Sequence, residues 1–201
     1  MFHEGQPLVE TFRTFRRAAL AEGADDVPYL VGGADQGGYD DVISPPTTRP
    51  LQAGDVLMLD TGSVFDGYFC DYDRNFAITR ADDASRRAYD VLFAATEAGL
   101  AAARPGATCA QVYRAMQRVI ATLDPGGGDV GRLGHGLGMQ LTEWPSLIPS
   151  DHSILLPGMV LTLEPGIETS GGMLVHEENI VITETGCRFL SPRASTRMVQ
   201  I

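Results

Sequence analysis

Lysine is missing altogether, since all fifteen basic residues of the chain are arginine. Without it, Schiff-base catalysis, a phosphate-gripping P-loop lysine and Ser–Lys nucleophile pairs are excluded. Positive charge is scarce overall. The net charge of −11 speaks against a polyanionic partner, because nucleic-acid binding draws its affinity from clustered Lys and Arg. Cysteine is sparse too: Cys70, Cys109 and Cys187 are odd in number and widely spaced, so neither a disulfide framework nor a thiolate zinc site is expected. No run approaches the ~18 consecutive apolar residues of a membrane span. The opening Met1-Phe2-His3-Glu4 lacks the basic-then-apolar layout of a signal peptide, so the expected address is the cytoplasm, with no membrane partner.

What is present suffices for one core. In 201 residues, 44% are hydrophobic and Gly and Pro are dispersed, which reads as a single domain over 1–201. The segment Asp124 to Gly131 (DPGGGDVG) reads as a flexible loop within it.

The chain repeats itself. Gly54 to Gly62 (GDVLMLDTG) and Gly158 to Gly166 (GMVLTLEPG) share Gly, Val, Leu, Leu and Gly at an offset of 104. Each apolar strand ends on a carboxylate, Asp60 or Glu164. A second apolar arm follows each, DYDRNFAIT from Asp71 to Thr79 and EENIVIT from Glu177 to Thr183, giving a strand pair per half. A helix precedes each pair. Thr108 to Leu123 opens with a Thr-x-x-Gln capping pattern and puts Val112, Met116, Val119, Ile120 and Leu123 on one face. Pro7 to Leu20 is its counterpart, with Pro at the helix start. The expected architecture is α+β, with two pseudo-twofold halves, helices over one curved antiparallel sheet.

One further helix, Ser85 to Ala103, has no counterpart in the first half. Its absence points to a fragment, a late start codon or a partner supplying cover. An exposed apolar patch is expected where it would pack.

Asp60 and Asp71 lie eleven residues apart on what should be facing strands turning at Asp66 and Gly67, and Glu164 and Glu177 repeat the arrangement. Any single acid is more often a surface group. Four acids at matching ends of duplicated apolar strands are different, because gathering them without cations costs several kcal/mol per unpaired ion. Two divalent ions would resolve the conflict. His135, in GRLGHGLGM, has glycines on either side that allow close approach of backbone and ligand. His3 and His152 fall in expected surface segments, and His176 should point to the face opposite its neighbour Glu177. A carboxylate-rich set with one imidazole favours fairly hard ions: Mn first, with Co, Zn or Fe as alternatives.

The stretches LDTGSVFDGYFCDYDRNF, GHGLGMQLTEWP, LTLEPGI and HEENIVIT, in this order, resemble the metallopeptidase family of creatinase, prolidase, aminopeptidase P and methionine aminopeptidase, known for its pita-bread fold. The resemblance spans nearly the whole chain. It implies that Asp60 chelates one metal, that His135 and Glu164 hold the other, and that Asp71 and Glu177 bridge, Glu177 being preferred to Glu178 by its spacing from Thr183. A metal-bridging hydroxide would be the nucleophile and Glu164 the proton shuttle, with His135 completing the catalytic pair. A short peptide or small molecule is the implied substrate, and homodimerisation, testable by sedimentation, the implied assembly.

Two family imidazoles have no match. Thr142 stands where a second His is usual, and Asp40 to Arg49 contains none. Thr142 becomes a substrate-binding candidate, with Tyr29 and Trp144 either lining the pocket or, more often for such residues, serving as core or hydrophobic-rim residues. Three functions stay open: an amide or Xaa-Pro dipeptide hydrolase, a creatinase-like C–N hydrolase of a small cyclic or modified amino acid, and a non-catalytic binding module.

Overall fold

A computed structural model describes residues 2–123 and 131–201, so all but Gly131 of the expected DPGGGDVG loop lies outside the described residues. In chain order the elements are α1 (Leu8–Ala21), β1 (Asp26–Val31), β2 (Ala34–Gln36), β3 (Asp55–Phe65), β4 (Tyr68–Phe69), β5 (Tyr72–Ala77), α2 (Asp83–Ala102) and α3 (Cys109–Ile120). There follow β6 (His135–Gly136), β7 (Glu143–Ser146), β8 (Val160–Leu163), β9 (Gly166–Thr169), β10 (Gly172–Val175), β11 (Glu178–Ile182), β12 (Cys187–Phe189) and β13 (Val199–Gln200). No helix among the described residues is long and apolar enough to cross a membrane.

Helix starts follow their capping chemistry. Thr108 and Gln111 form both hydrogen bonds of the expected box at α3. The Asp82 carboxylate accepts from the Ser85 amide, so α2 begins two residues earlier than its apolar pattern suggested. Pro7 sits just outside α1 and offers no side-chain cap. The free amides of Leu8 and Val9 instead donate to the carbonyls of Arg49 and Thr47, both at 2.9 Å.

The strands form two larger sheets. One runs β1-β3-β5-β13 with β2 and β4 also on β3, the other β12-β11-β8-β6-β7, and β9 pairs with β10 separately. The duplication holds at the level of single bonds. Gly54 and Gly158 both have left-handed backbone, at φ 95° and 90°. Their amides donate to Ile78 and Ile182 at 2.8 and 2.9 Å, and those isoleucines donate back to Asp55 and Met159 at 2.9 and 2.8 Å. Each partner is displaced by the same 104 residues. Cross-strand pairs repeat likewise, Val56 with Ala77 and Val160 with Val181, so β3–β5 and β8–β11 are one motif used twice.

Among the described residues the halves are joined by the antiparallel bridge of Tyr39 with Met173, whose amides and carbonyls bond at 3.0 and 2.8 Å, rather than by a longer ladder. Two asparagines, again 104 apart, clasp them as well. The Asn179 side-chain amide donates to the Asp71 carbonyl, and that of Asn75 donates to the Val175 carbonyl at 2.5 Å. The return bonds differ. The Asp71 amide donates to Asn179 Oδ1 at 3.0 Å, whereas the Val175 amide donates to the Tyr39 hydroxyl at 2.6 Å, which in turn donates to Asn75 at 3.2 Å. Side-chain amides can close the seam because strands meeting there already pair on their other edges.

The main core lies where α2 and α3 cover the second half, with Leu92, Met116, Leu161, Leu163 and Ile180 inside it. A smaller core under α1 holds Leu8, Phe12, Leu57, Leu59 and Ile78. On the β3–β5 face beside α1 an apolar groove of about 310 Å³ remains, lined by Phe2, Phe15, Leu59, Phe65 and Phe76 among others.

Candidate metal centre

The β3 hairpin turns on Asp66 and Gly67, whose φ values of 50° and 80° suit a two-residue turn with both central residues left-handed. That turn was legible in sequence, and it sets the register: Asp60 directly faces Asp73, with Asp71 two positions nearer the turn on the returning arm. Between β4 and β5 the Cys70 amide still donates to the Ser63 carbonyl at 2.9 Å, and Asn179 of the other half holds the Asp71 backbone. Glu164 follows β8 directly, with its amide donating to the Leu133 carbonyl at 3.1 Å, and Glu177 lies between β10 and β11.

His135 arrives from a different element. Its amide donates to Thr162 Oγ1 at 3.0 Å, which docks β6 on β8. Nδ1 lies 2.7 Å from the Gly136 carbonyl, an acceptor only, so Nδ1 carries the proton and Nε2 turns a lone pair inward. Nε2 lies 3.3 Å from Asp71 Oδ2 and 3.7 Å from Glu164 Oε2. The flanking glycines serve backbone packing. At Gly134, φ is 146° and an added Cβ would lie 2.3 Å from the Thr162 carbonyl oxygen and 2.6 Å from Leu147 Cδ1. Gly134→Ala is therefore expected to cost roughly 2–4 kcal/mol through strain and overpacking. Chemical denaturation of the metal-free protein measures this, and a loss under about 0.5 kcal/mol, the scale of an ordinary surface change, would refute it.

Asp71, His135 and Glu177 each bring a ligand atom within 4.8 Å of the others. Asp60 and Glu164 stand outside that compact trio but line the same cavity of about 230 Å³ as Glu177. Burial and mutual repulsion strain this gathering. Burial, then Asp71 and Asp73, push the Asp60 carboxyl up to about 9. Burial pushes Glu177 well above the usual range, with Asp71 and Glu164 adding to it, and Glu164 is raised by burial against the pull of His135 and Arg132. Burial alone would lower His135, but its contact with Asp71 and the charge of Glu164 raise it. Asp60 Oδ1 and Glu177 Oε1 are buried with no hydrogen-bond partner among the described residues. Orphaned oxygens, an inward imidazole lone pair and carboxyls forced toward neutrality fit a site built for cations.

Two lining residues escaped sequence reading. Asp73 is 3% exposed and lines the cavity, and its signal was its place in the repeat. Arg132 also lines it, donating from Nε to Glu164 Oε1 at 3.2 Å and lying 3.5 Å from Thr142 Oγ1 through Nη2. Thr142 itself is exposed and off the cavity wall, meeting the site only through Arg132. Tyr29 does line the cavity and donates to Asp60 Oδ2 at 3.2 Å, whereas Trp144 is 70% exposed and belongs to neither wall nor core. Glu178 turns away, bonded to Arg74 at 3.1 Å and to the Ala194 amide at 2.7 Å. His176 packs against Tyr89 and Phe93 of α2 and meets Thr96 Oγ1 at 2.9 Å, away from the cavity that Glu177 lines, although both residues lie in the link between β10 and β11 and in no strand. His3 and His152 are exposed, and the three cysteines are unpaired.

Comparison with known proteins agrees with this geometry. The model of metallopeptidase family M24 matches residues 13–184. A probable dipeptidase PepE of Mycobacterium bovis is 34% identical over 90% of this chain and 49% of its own length. An Xaa-Pro dipeptidase of Pyrococcus furiosus is 28% identical over 85% of this chain and 53% of its own. Among solved structures, dipeptidase PepE from Mycobacterium ulcerans superposes with a TM-score of 0.89 and 28% identity, covering 98% of this chain and 53% of that one. The chain thus spans about half the length of the relatives it matches.

Proposed function

Because the chain belongs to metallopeptidase family M24 and has its pita-bread fold, we propose that it hydrolyses amide bonds of short peptides, in the manner of an Xaa-Pro dipeptidase or aminopeptidase. The observation that carries this reading is the meeting of Asp71, His135 and Glu177, with Glu177 lining a small cavity together with Asp60 and Glu164. His135 and Glu164 would hold one divalent ion, Asp60 the other, and Asp71 and Glu177 both. Mn suits these donors best, with Co, Zn or Fe as alternatives. Bound ions would polarise the scissile carbonyl and acidify the attacking water.

The remaining work falls to the chain's own groups. Glu164, the lining carboxylate nearest the imidazole, would take the proton from water and pass it to the leaving nitrogen. Arg132 holds one Glu164 oxygen, leaving Oε2 turned toward His135. The Tyr29 hydroxyl orients Asp60 and leaves its second oxygen free for a cation.

A second reading keeps a place through one observation. His135 is the sole imidazole near the cavity among the described residues, so a creatinase-like C–N substrate needing less imidazole assistance also fits. Xaa-Pro dipeptides, N-terminal methionyl peptides and cyclic amidines assayed with added Mn discriminate the two. Dipeptide turnover is expected; turnover of amidines alone would move the assignment to the second reading, and no turnover of any with metal bound would overturn both.

A further inference from the structure

Superposing the duplicated bonds pairs the cavity's acids in an unexpected way. At the shared offset of 104, Asp60 corresponds to Glu164, and Glu177 corresponds to Asp73, not to Asp71. The register agrees: Leu59 pairs with Arg74 in β3–β5 as Leu163 pairs with Glu178 in β8–β11. The next step inward is Asp60 with Asp73 in one half and Glu164 with Glu177 in the other. The Asp71 position corresponds to Val175, and the shared clasps confirm the match, because Asn179 and Asn75 hold the carbonyls of those two residues. Asp71 is the acid without a counterpart.

We propose that Asp73 is itself a cation ligand, taking in the first half the place that Glu177 takes in the second. The inference rests on the reading of the cavity as a metal centre. Directly opposed residues of an antiparallel pair project from the same face, so Asp73 and Asp60 point together into the cavity. Asp73 is 3% exposed, and among the described residues its carboxylate accepts one long hydrogen bond, 3.5 Å from Asn75 Nδ2. The Arg74 guanidinium spends its hydrogen bonds on the Asp73 and Glu177 carbonyls, the Glu178 carboxylate and the Pro192 carbonyl, so its pull on the Asp73 carboxylate is through space alone. A buried carboxylate that lines the cavity opposite Asp60, whose Oδ1 is orphaned, is the arrangement a cation completes. The ion on the Asp60 side would then have an all-oxygen shell drawn from Asp60, Asp73, Asp71 and Glu177, harder than the shell that includes His135.

The test is a titration of metal-stripped protein with Mn²⁺, followed by calorimetry and by the Mn²⁺ paramagnetic signal, for the natural chain, Asp73→Asn and Asp73→Ser. Two binding steps are expected in the natural chain. Both variants should weaken one step at least tenfold and leave the other within threefold, with loss of the spin-coupled signal of an ion pair at matched Mn²⁺. Equal weakening of both steps would reveal a general charge effect and overturn the proposal, as would two steps unchanged. A natural chain that binds no Mn²⁺ would instead defeat the metal-centre reading itself. Folding is not at risk in these variants, since each removes a charge from a crowded buried cluster; the thermal midpoint of each metal-free protein monitors this.

Discussion

His135→Ala should lower kcat/KM on the best dipeptide by more than about 10³-fold, a loss of roughly 4 kcal/mol in transition-state stabilisation. Asp71→Ala should do the same. His135 is the one neutral donor in a ring of acids, and the Gly136 carbonyl has already set its tautomer, so no neighbour can replace it. Asp71 is the carboxylate nearest Nε2 of that imidazole, and its backbone stays clasped by Asn179 whatever the side chain. Both variants should therefore fold yet retain less metal. Elemental analysis after purification without chelator, beside steady-state kinetics, checks both halves of the claim. Activity within tenfold of the natural chain, at full metal content, would remove these residues from the centre. Thr142→Ala, which touches the cavity only through Arg132, should leave metal content unchanged.

Stripping the metal should make stability fall as pH rises from about 5 to 9. The free carboxyl of an unfolded chain titrates near 3.9 for Asp. In the folded chain Asp60 is pushed up to about 9 and Asp73 to about 8, the latter by burial against the pull of Arg74, with Glu164 and Asp71 adding to it. Between those values the native state holds protons that the unfolded state has released, so each upward step in pH favours unfolding. The stabilising contribution is whole below about pH 4 and is lost progressively as pH climbs through the folded values. Cations compete for the same oxygens. Mn²⁺ at about a thousandfold over its Kd adds about 4 kcal/mol, or roughly 8–16 °C in a chain of this size. The shift should be larger at pH 8 than at pH 6, where protons hold the carboxyls. Thermal melts of stripped and loaded protein at both pH values measure it. A metal-free midpoint that rises from pH 5 to pH 8, or an Mn²⁺ shift independent of pH, would contradict the charge accounting.

The fold was legible where local rules and repetition speak together. The Thr108–Gln111 box, the Asp66–Gly67 turn and the twin Gly54 and Gly158 segments each carry a physical reason in a few adjacent residues. Legibility stopped where distant segments meet. The Asp66–Gly67 turn itself pairs Asp60 with Asp73, but no local pattern shows that Asn179 of the other half holds the Asp71 backbone. Arg132 escaped for a related reason: its bond to Glu164 crosses between segments 32 residues apart, and no local pattern encodes it. Thr142 drew attention by standing in a motif, yet its side chain lies outside the cavity wall.

By itself, then, the order of residues determined the duplicated architecture, the family and the kinds of donor present, because turn chemistry, strand patterning and repetition are short-range or self-referential properties. Only the tertiary structure decided which acids of the two halves meet, which imidazole nitrogen faces inward, and which side chains wall the cavity. Those outcomes depend on bonds such as Asn179 to Asp71 and His135 to Gly136 and Thr162, most of them formed only once distant segments have met.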